Sequence, residues 1–280
     1  MSDVPMIDLK IYRPGKKFPA LSVTGYECAL DCAHCGGRYL RHMIPAPPPA
    51  DFQRFMERLK EQGAVGFLLS GGCDPMGRVP IGPYLTCLKE ARHLGLQTNV
   101  HTGVLDPGLP PLLCSAEPAA VSVDMVGSYA AIREVYGLLH SPADCARAVK
   151  ELVEVGLNVV PHITVGLHGG QPSGEERALI LLQDTGVRRL ILNIFVPTKG
   201  TRYEDAPKIS EARALEIIRS ARRSLPGVEI ILGCMRPRGA QDLHLIGLVD
   251  GIVNPSRRAV EHLGGAREQC TCCAIPFRSA

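Results

Sequence analysis

Short runs of consecutive or alternating apolar residues recur eight times along the chain, at Leu21–Glu27, Gly66–Gly72, Leu96–Gly103, Ala120–Met125, Asn158–Leu167, Arg189–Pro197, Val228–Pro237 and Gly251–Pro255. Each is rich in Val, Ile, Leu or Thr and closes on Gly, Pro or a polar residue, which predicts strands. Between them apolar residues fall at helical spacing, as in Phe52, Phe55, Met56, Leu59 and again in Ala212, Leu215, Ile218. Ser141-Pro142, Ser173 with Glu176 three residues on, and Ser210 are helix-start signals. Strict alternation of strand and helix implies an α/β fold with a parallel sheet buried on both faces. Eight such units suit a (β/α)8 TIM-type barrel. Pro107, Pro110 and Pro111 crowd the third unit and Ala240–Leu248 is a short seventh, so an incomplete barrel of six units is the alternative. Pro45–Pro49 reads as a loop. The chain divides into an extension (1–20), the barrel (21–264) and a tail (265–280).

Composition narrows the function classes. A chain of 280 residues with 45% hydrophobic and 21% charged residues can bury a full core. Its net charge of +3 gives no support to nucleic-acid binding. Met1–Gly25 carries scattered charges and no signal-like apolar run, and no later stretch approaches the ~18 apolar residues of a membrane span. A cytoplasmic protein, without membrane or nucleic-acid partners, is the expectation. The 11 cysteines are too clustered for ordinary core use, and their odd number means that disulfides could not pair them all. Reduced thiols, some holding a metal, fit better.

Active sites of such barrels collect at the carboxyl ends of the strands. Directly after the first run stands Cys28-Ala-Leu-Asp-Cys32-Ala-His34-Cys35-Gly-Gly. Three thiolates on one tight loop can converge on a single centre. Zinc would accept them but normally takes a fourth ligand from a second paired motif, which is lacking nearby. A four-iron cluster held by three cysteines leaves one iron open for chemistry. The Cys-x3-Cys-x2-Cys spacing after a first barrel strand resembles the radical S-adenosylmethionine (SAM) superfamily. The resemblance implies a four-iron–four-sulfur cluster whose open iron is chelated by SAM, and reductive cleavage to a 5′-deoxyadenosyl radical. It also implies cofactor contacts. His34 stands where the family carries an adenine-packing aromatic. Gly71, Gly72 and Asp74 of Ser-Gly-Gly-Cys-Asp-Pro resemble the Gly-Gly-Glu element, with the acid displaced by one. Asp124 ends the fourth run and would meet ribose or substrate. Ile163, Gly166 and Leu167 resemble the adenine-lining element, and Asn193 lies in a stretch similar to one in biotin synthases.

The remaining cysteines separate into packing and candidate ligands. Cys87, Cys114 and Cys145 lie in or beside helical segments and read as small hydrophobes. Cys73 and Cys234 lie at predicted strand ends, and Arg236, two residues past Cys234, could hold a carboxylate of cofactor or substrate. The tail carries Cys270, Cys272 and Cys273. These, with Cys73 or Cys234, are candidates for a second iron–sulfur cluster, and a tail reaching the barrel mouth would close the site. His101 and His162 sit near strand ends and receive no catalytic role.

Along most of its length the chain resembles the biotin-synthase-like branch. Within it, the motifs are most similar to one component of the two-protein lipoyl synthases of archaea and some bacteria, in which two paralogous radical enzymes insert sulfur into an octanoyl chain on a carrier protein. That resemblance implies a sulfurtransferase, a paralogous partner, an octanoylated carrier and an electron donor such as ferredoxin or flavodoxin. A radical methylase or cyclase making another cofactor, its second cluster passing electrons, remains an alternative. So do a non-catalytic iron–sulfur assembly protein and a zinc protein.

Overall fold

The computed structural model describes residues 9–239, 242–262 and 266–277. Its centre is one parallel sheet of β1 (Lys10–Tyr12), β2 (Ala20–Ser22), β3 (Ile44–Pro45), β4 (Gly66–Ser70), β5 (Gln97–His101), β6 (Ala120–Asp124), β7 (Val159–Val165), β8 (Arg189–Ile194), β9 (Glu229–Leu232), β10 (Gly251–Val253) and β11 (Arg267–Gln269). The order across the sheet is β11-β1-β10-β9-β8-β7-β6-β5-β4-β2-β3, so the eight expected strands stand side by side in chain order. The end strands β3 and β11 do not pair, and the architecture is a curled, incomplete barrel.

Three strands were not anticipated. The segment 1–20 is not merely an extension, because β1 inserts between β10 and β11. Ile44–Pro45 pairs with β2 as an edge strand, where a proline lacking N–H is tolerated. Arg267–Gln269 makes part of the tail a strand. The expected 264/265 boundary, residues 1–8 and 278–280, and the start of the Ala240–Leu248 unit fall outside the described residues.

Strand periodicity sorts the side chains. Outward residues such as Phe67, Leu69, Val100, Val121, Val123, Leu190, Leu192, Ile230 and Leu232 are buried together with helix residues Phe52, Met56, Leu88, Val149, Leu179 and Ile218. The flanking helices are α1 (Pro49–Glu61), α2 (Leu85–His93), α3 (Leu109–Ala116), the short α4 (Tyr129–Ala131), α5 (Pro142–Glu154), α6 (Glu175–Leu182), α7 (Glu211–Ser224), α8 (Asp242–Ile246) and α9 (Arg257–His262). The prolines of the third unit do not prevent α3, since Pro110 and Pro111 lie in its first turn, where no intrahelical N–H is needed. Ser141 and Asp144 form a reciprocal capping box on α5, and Ser210 caps α7. The Ser173/Glu176 box does not form. Gly174 is the N-cap of α6, and buried Glu175 instead accepts from the Gly166 N–H, Ser173 and Arg213.

The tail lies inside the curl. Cys273, Ala274 and Ile275 are buried with Tyr12, Phe18, Ala120, Val160, Ile191, Ile231 and Val253. Ala120 opens β6 and Arg189 opens β8, so this is the amino-end floor of the barrel. Arg189 Nη1 donates to the carbonyls of Cys273 and Ile275, at 3.0 and 2.6 Å. The tail therefore seals the floor and not the mouth, because the concave apolar surface there would otherwise face water.

Candidate active site

A cavity of about 670 Å³ runs from the cysteine loop at the carboxyl ends of the strands to the tail at the floor. Its mouth is built by the loop after β2. Gly36 and Gly37 adopt positive φ, and the Gly36 N–H bonds back to the Cys32 carbonyl, turning the loop tightly. Thr24 pins the neighbouring turn, accepting from the Gly72 N–H at 2.7 Å and donating to the Glu27 carbonyl at 2.8 Å. A Cβ on Gly72 would overlap that carbonyl and lie 2.8 Å from Cys28 Cβ, so only glycine lets the β4 end approach the loop.

Cys28, Cys32 and Cys35 all line the cavity. A hydrogen bond from Cys32 holds the Cys35 thiol down and pushes that of Cys32 up. Cys73 joins this end and not the tail. Its N–H donates to Cys28 Sγ at 3.3 Å, and burial followed by repulsion from Cys28 raises its thiol to about 12. His34 packs edge-on against Tyr136 and Tyr39, with ring centroids 5.5 and 6.0 Å away, and its buried Nδ1 has no hydrogen-bond partner among the described residues. Three converging thiols beside a glycine-opened backbone suit an iron–sulfur cluster with one exposed corner.

A second set of thiols faces the same cavity, Cys272 and Cys273 from the tail at the floor and Cys234 from the carboxyl end of β9. Burial, with a lesser contribution from Cys272, pushes the Cys234 thiol up. A hydrogen bond from Cys273 brings Cys272 to about 7 against the opposing effect of burial, and Asn99 Nδ2 donates to Cys272 Sγ at 3.4 Å. Cys270 is exposed and does not line the cavity. The five candidates for a second cluster thus split, with Cys73 beside the cysteine loop, Cys234 after the carboxyl end of β9, Cys272 and Cys273 at the floor and Cys270 apart.

Other expected contacts also divide. Gly71, Gly72, Asp124 and Asn193 line the cavity. Asp74 does not: its carboxylate braces its own loop, accepting from the Met76 and Arg78 N–H groups and pairing with Arg78. Arg236 is also turned away. Its guanidinium is buried against Asp242 at 3.2 Å and the carbonyls of Gly233 and Val253 at 2.7 Å, leaving no fork for a ligand carboxylate. Ile163 faces the outer core, and Leu167 packs behind the cysteine loop with Ala33 and Val126. Cys145, expected as packing, lines the cavity, and burial raises its thiol to about 11.

Between the two thiol sets lies a polar belt not anticipated as a group. The inward positions carry Asn99 and His101 on β5, Ser122 and Asp124 on β6, His162 and Thr164 on β7, and Asn193 on β8, all lining the cavity. Ser122 donates to Asn99 at 3.0 Å. Burial disfavours the Asp124 carboxylate but is outweighed by His101, His162 and His34, which hold it at about 2. Burial and the neighbouring His101 push His162 down to about 4.

A curled parallel barrel with a three-thiol loop at its mouth defines an iron–sulfur enzyme class built for chemistry at an open iron. Residues 22–173, more than half of the chain, match the radical SAM superfamily, and the protein belongs to it. It is a radical SAM enzyme whose cofactors are a four-iron–four-sulfur cluster and SAM. Among curated relatives, biotin synthase of Desulfatibacillum aliphaticivorans is 25% identical over 224 residues, 78% of this chain and 67% of that protein. Biotin synthase of Aquifex aeolicus (strain VF5) is 27% identical over 225 residues, covering 78% and 67%. In structure the chain resembles the FeFe-hydrogenase maturase HydG from Carboxydothermus hydrogenoformans (TM-score 0.64, 19% identity, 88% of this chain and 58% of that one). It also resembles methylornithine synthase (TM-score 0.63, 14% identity, 91% and 84%). At these identities the structural likeness shows a shared fold, and the chain spans a little over half of the maturase. Among the described residues no helix is long and apolar enough to cross a membrane.

Proposed function

We propose that this radical SAM enzyme inserts sulfur into an unactivated C–H bond, that of a protein-bound octanoyl chain during lipoyl cofactor synthesis, acting with a paralogous partner. The observation that carries this reading is that three further thiols, Cys234, Cys272 and Cys273, line the one cavity whose mouth is built by the loop of Cys28, Cys32 and Cys35.

The three mouth cysteines hold the four-iron cluster, with the backbone of Gly71 and Gly72 and the ring of His34 beside the cofactor. When bound, cluster and SAM supply a 5′-deoxyadenosyl radical that takes hydrogen from carbon. Leu68, Val79, Val104, Ile191 and Phe195 give the cavity apolar walls that accept an alkyl chain and exclude water. Cys234, Cys272 and Cys273 would hold a second iron–sulfur group, whose sulfide would be the sulfur given up to carbon, and Asn99 steadies Cys272 by donating to its sulfur. Carbon and sulfur are thereby enclosed in one space, which makes their union effectively unimolecular. The test is to incubate the anaerobically reconstituted protein, its paralogue, SAM and a low-potential reductant with an octanoylated carrier domain, then to analyse the lysine-bearing peptide by mass spectrometry. Sulfur addition supports the reading. Formation of 5′-deoxyadenosine with an unmodified octanoyl peptide overturns it.

A further inference from the structure

The polar belt between the two thiol sets contains a group that neither of them uses. His101 closes β5, Asp124 closes β6 and His162 lies in β7, on adjacent parallel strands with His101 opposite Ser122 and Asp124 opposite His162. This register stacks three inward positions side by side. One donor atom from each lies within 4.8 Å of the other two. His101 Nε2 is 3.5 Å from Asp124 Oδ1, and the two imidazole rings are 5.8 Å apart at 65°. Ligands bound at about 2.1 Å around one ion stand roughly 3 to 4 Å from each other, so small side-chain rotations close the set.

Two further observations point to a ligand. His162 Nε2 is buried without a hydrogen-bond partner among the described residues, and a lone imidazole nitrogen left so costs about 1–3 kcal/mol. Asp124 keeps 46% of its side chain exposed although it lies in the lining of the cavity, so its carboxylate faces open space. Hydrogen bonding within the belt does not exhaust these groups: Ser122 and Asn99 bond each other, and Asn99 turns its amide to Cys272.

We propose that His101, Asp124 and His162 hold a mononuclear divalent transition metal, with its remaining coordination positions open to the cavity. Two neutral imidazoles and one carboxylate form a borderline N/O donor set, suited to Zn²⁺ or Fe²⁺ and poorly suited to Ca²⁺ or Mg²⁺. The arrangement is a 2-His-1-carboxylate face, which leaves room for water or for an anionic or sulfur-bearing group of the substrate. The site uses no residue of either thiol set and lies between them in the same cavity.

The test uses full-length protein with its iron–sulfur clusters reconstituted, so that the thiols are occupied, followed by titration with Zn²⁺ and zinc-edge X-ray absorption. The expected result is one zinc per chain with a first shell of nitrogen and oxygen and imidazole scattering beyond it. Substitution His162→Ala or His101→Ala, or Asp124→Asn, should weaken zinc binding by about 100-fold while leaving the iron content unchanged, which reports that the variants still fold. Cys272→Ser should not weaken it. Absence of stoichiometric zinc, a shell of sulfur at about 2.3 Å, or loss of binding in Cys272→Ser alone would each overturn the proposal.

Discussion

The mouth and the floor of the barrel each gather cysteines, but they are assembled in opposite ways. At the mouth Cys28, Cys32 and Cys35 sit on a single loop, fastened by bonds within that loop and to its immediate neighbours Gly72, Cys73 and Val135. At the floor Cys272 and Cys273 arrive from the tail, far along the chain from the Cys234 that follows β9, and Arg189 of β8 anchors the carbonyls of Cys273 and Ile275. The mouth is set by spacing in the sequence, whereas the floor is set by tertiary packing. Damage to the scaffold should therefore be felt at the floor first.

The sharpest way to break this comparison is to remove one thiol from each end. Cys32→Ala should abolish 5′-deoxyadenosine formation, and with it all downstream chemistry, as measured by chromatography of the reaction mixture. Cys272→Ala should leave 5′-deoxyadenosine formation within about threefold of the parent while eliminating carbon–sulfur bond formation. Equal loss of both activities in both variants would show that the two thiol sets act as one.

A smaller effect is expected from the anchor. In Arg189→Met the carbonyls of Cys273 and Ile275 lose their donor, and Glu229 loses a partner that is itself nearly buried. Because Glu229 keeps Lys10 and is partly exposed, the main loss is that of the two carbonyls' buried donor, about 1–3 kcal/mol. Urea unfolding should show that loss, and iodoacetamide should label Cys272 faster. Cleavage of SAM by the folded fraction should persist.

The smallest effect is expected at the start of α5, whose capping box borders the cavity but makes no bond to either thiol set. Ser141→Ala removes the N-cap hydroxyl and should cost about 1 kcal/mol in thermal or urea unfolding without altering either thiol set. Bonds from the Ser141 N–H and hydroxyl hold the Asp144 carboxyl at about 2. Its folded value lies below the unfolded one of about 3.9, so its contribution is full above about pH 4 and is lost as the pH falls toward 2. The difference between parent and Ser141→Ala should shrink over that window.

The eight runs were legible because each strand of a parallel sheet is written as a compact apolar segment. The mouth was legible because its ligands lie within one turn of chain. The strands β1, β3 and β11 were not, since two or three residues carry too little pattern, and only pairing with β10, β1 or β2 makes them strands. The belt left a signal that the apolar runs obscured. Asn99/His101, Ser122/Asp124 and His162/Thr164 are polar pairs two residues apart, the spacing that places both on one face of a strand. The destination of Cys272 and Cys273 had no local signal, because it depends on the apolar concavity formed by Ala120, Val160, Ile191 and Ile231.

The pairing of β11 with β1 and the burial of the tail in the floor also impose an order in time. A ribosome adding about 5–20 residues per second delivers Cys272 roughly 10–50 s after Cys28. During that interval the mouth loop and much of the sheet already exist, while the cavity is open from below. Until Cys273–Ile275 dock, the apolar concavity of Ala120, Val160, Ile191 and Ile231 has no cover at the amino ends of the strands.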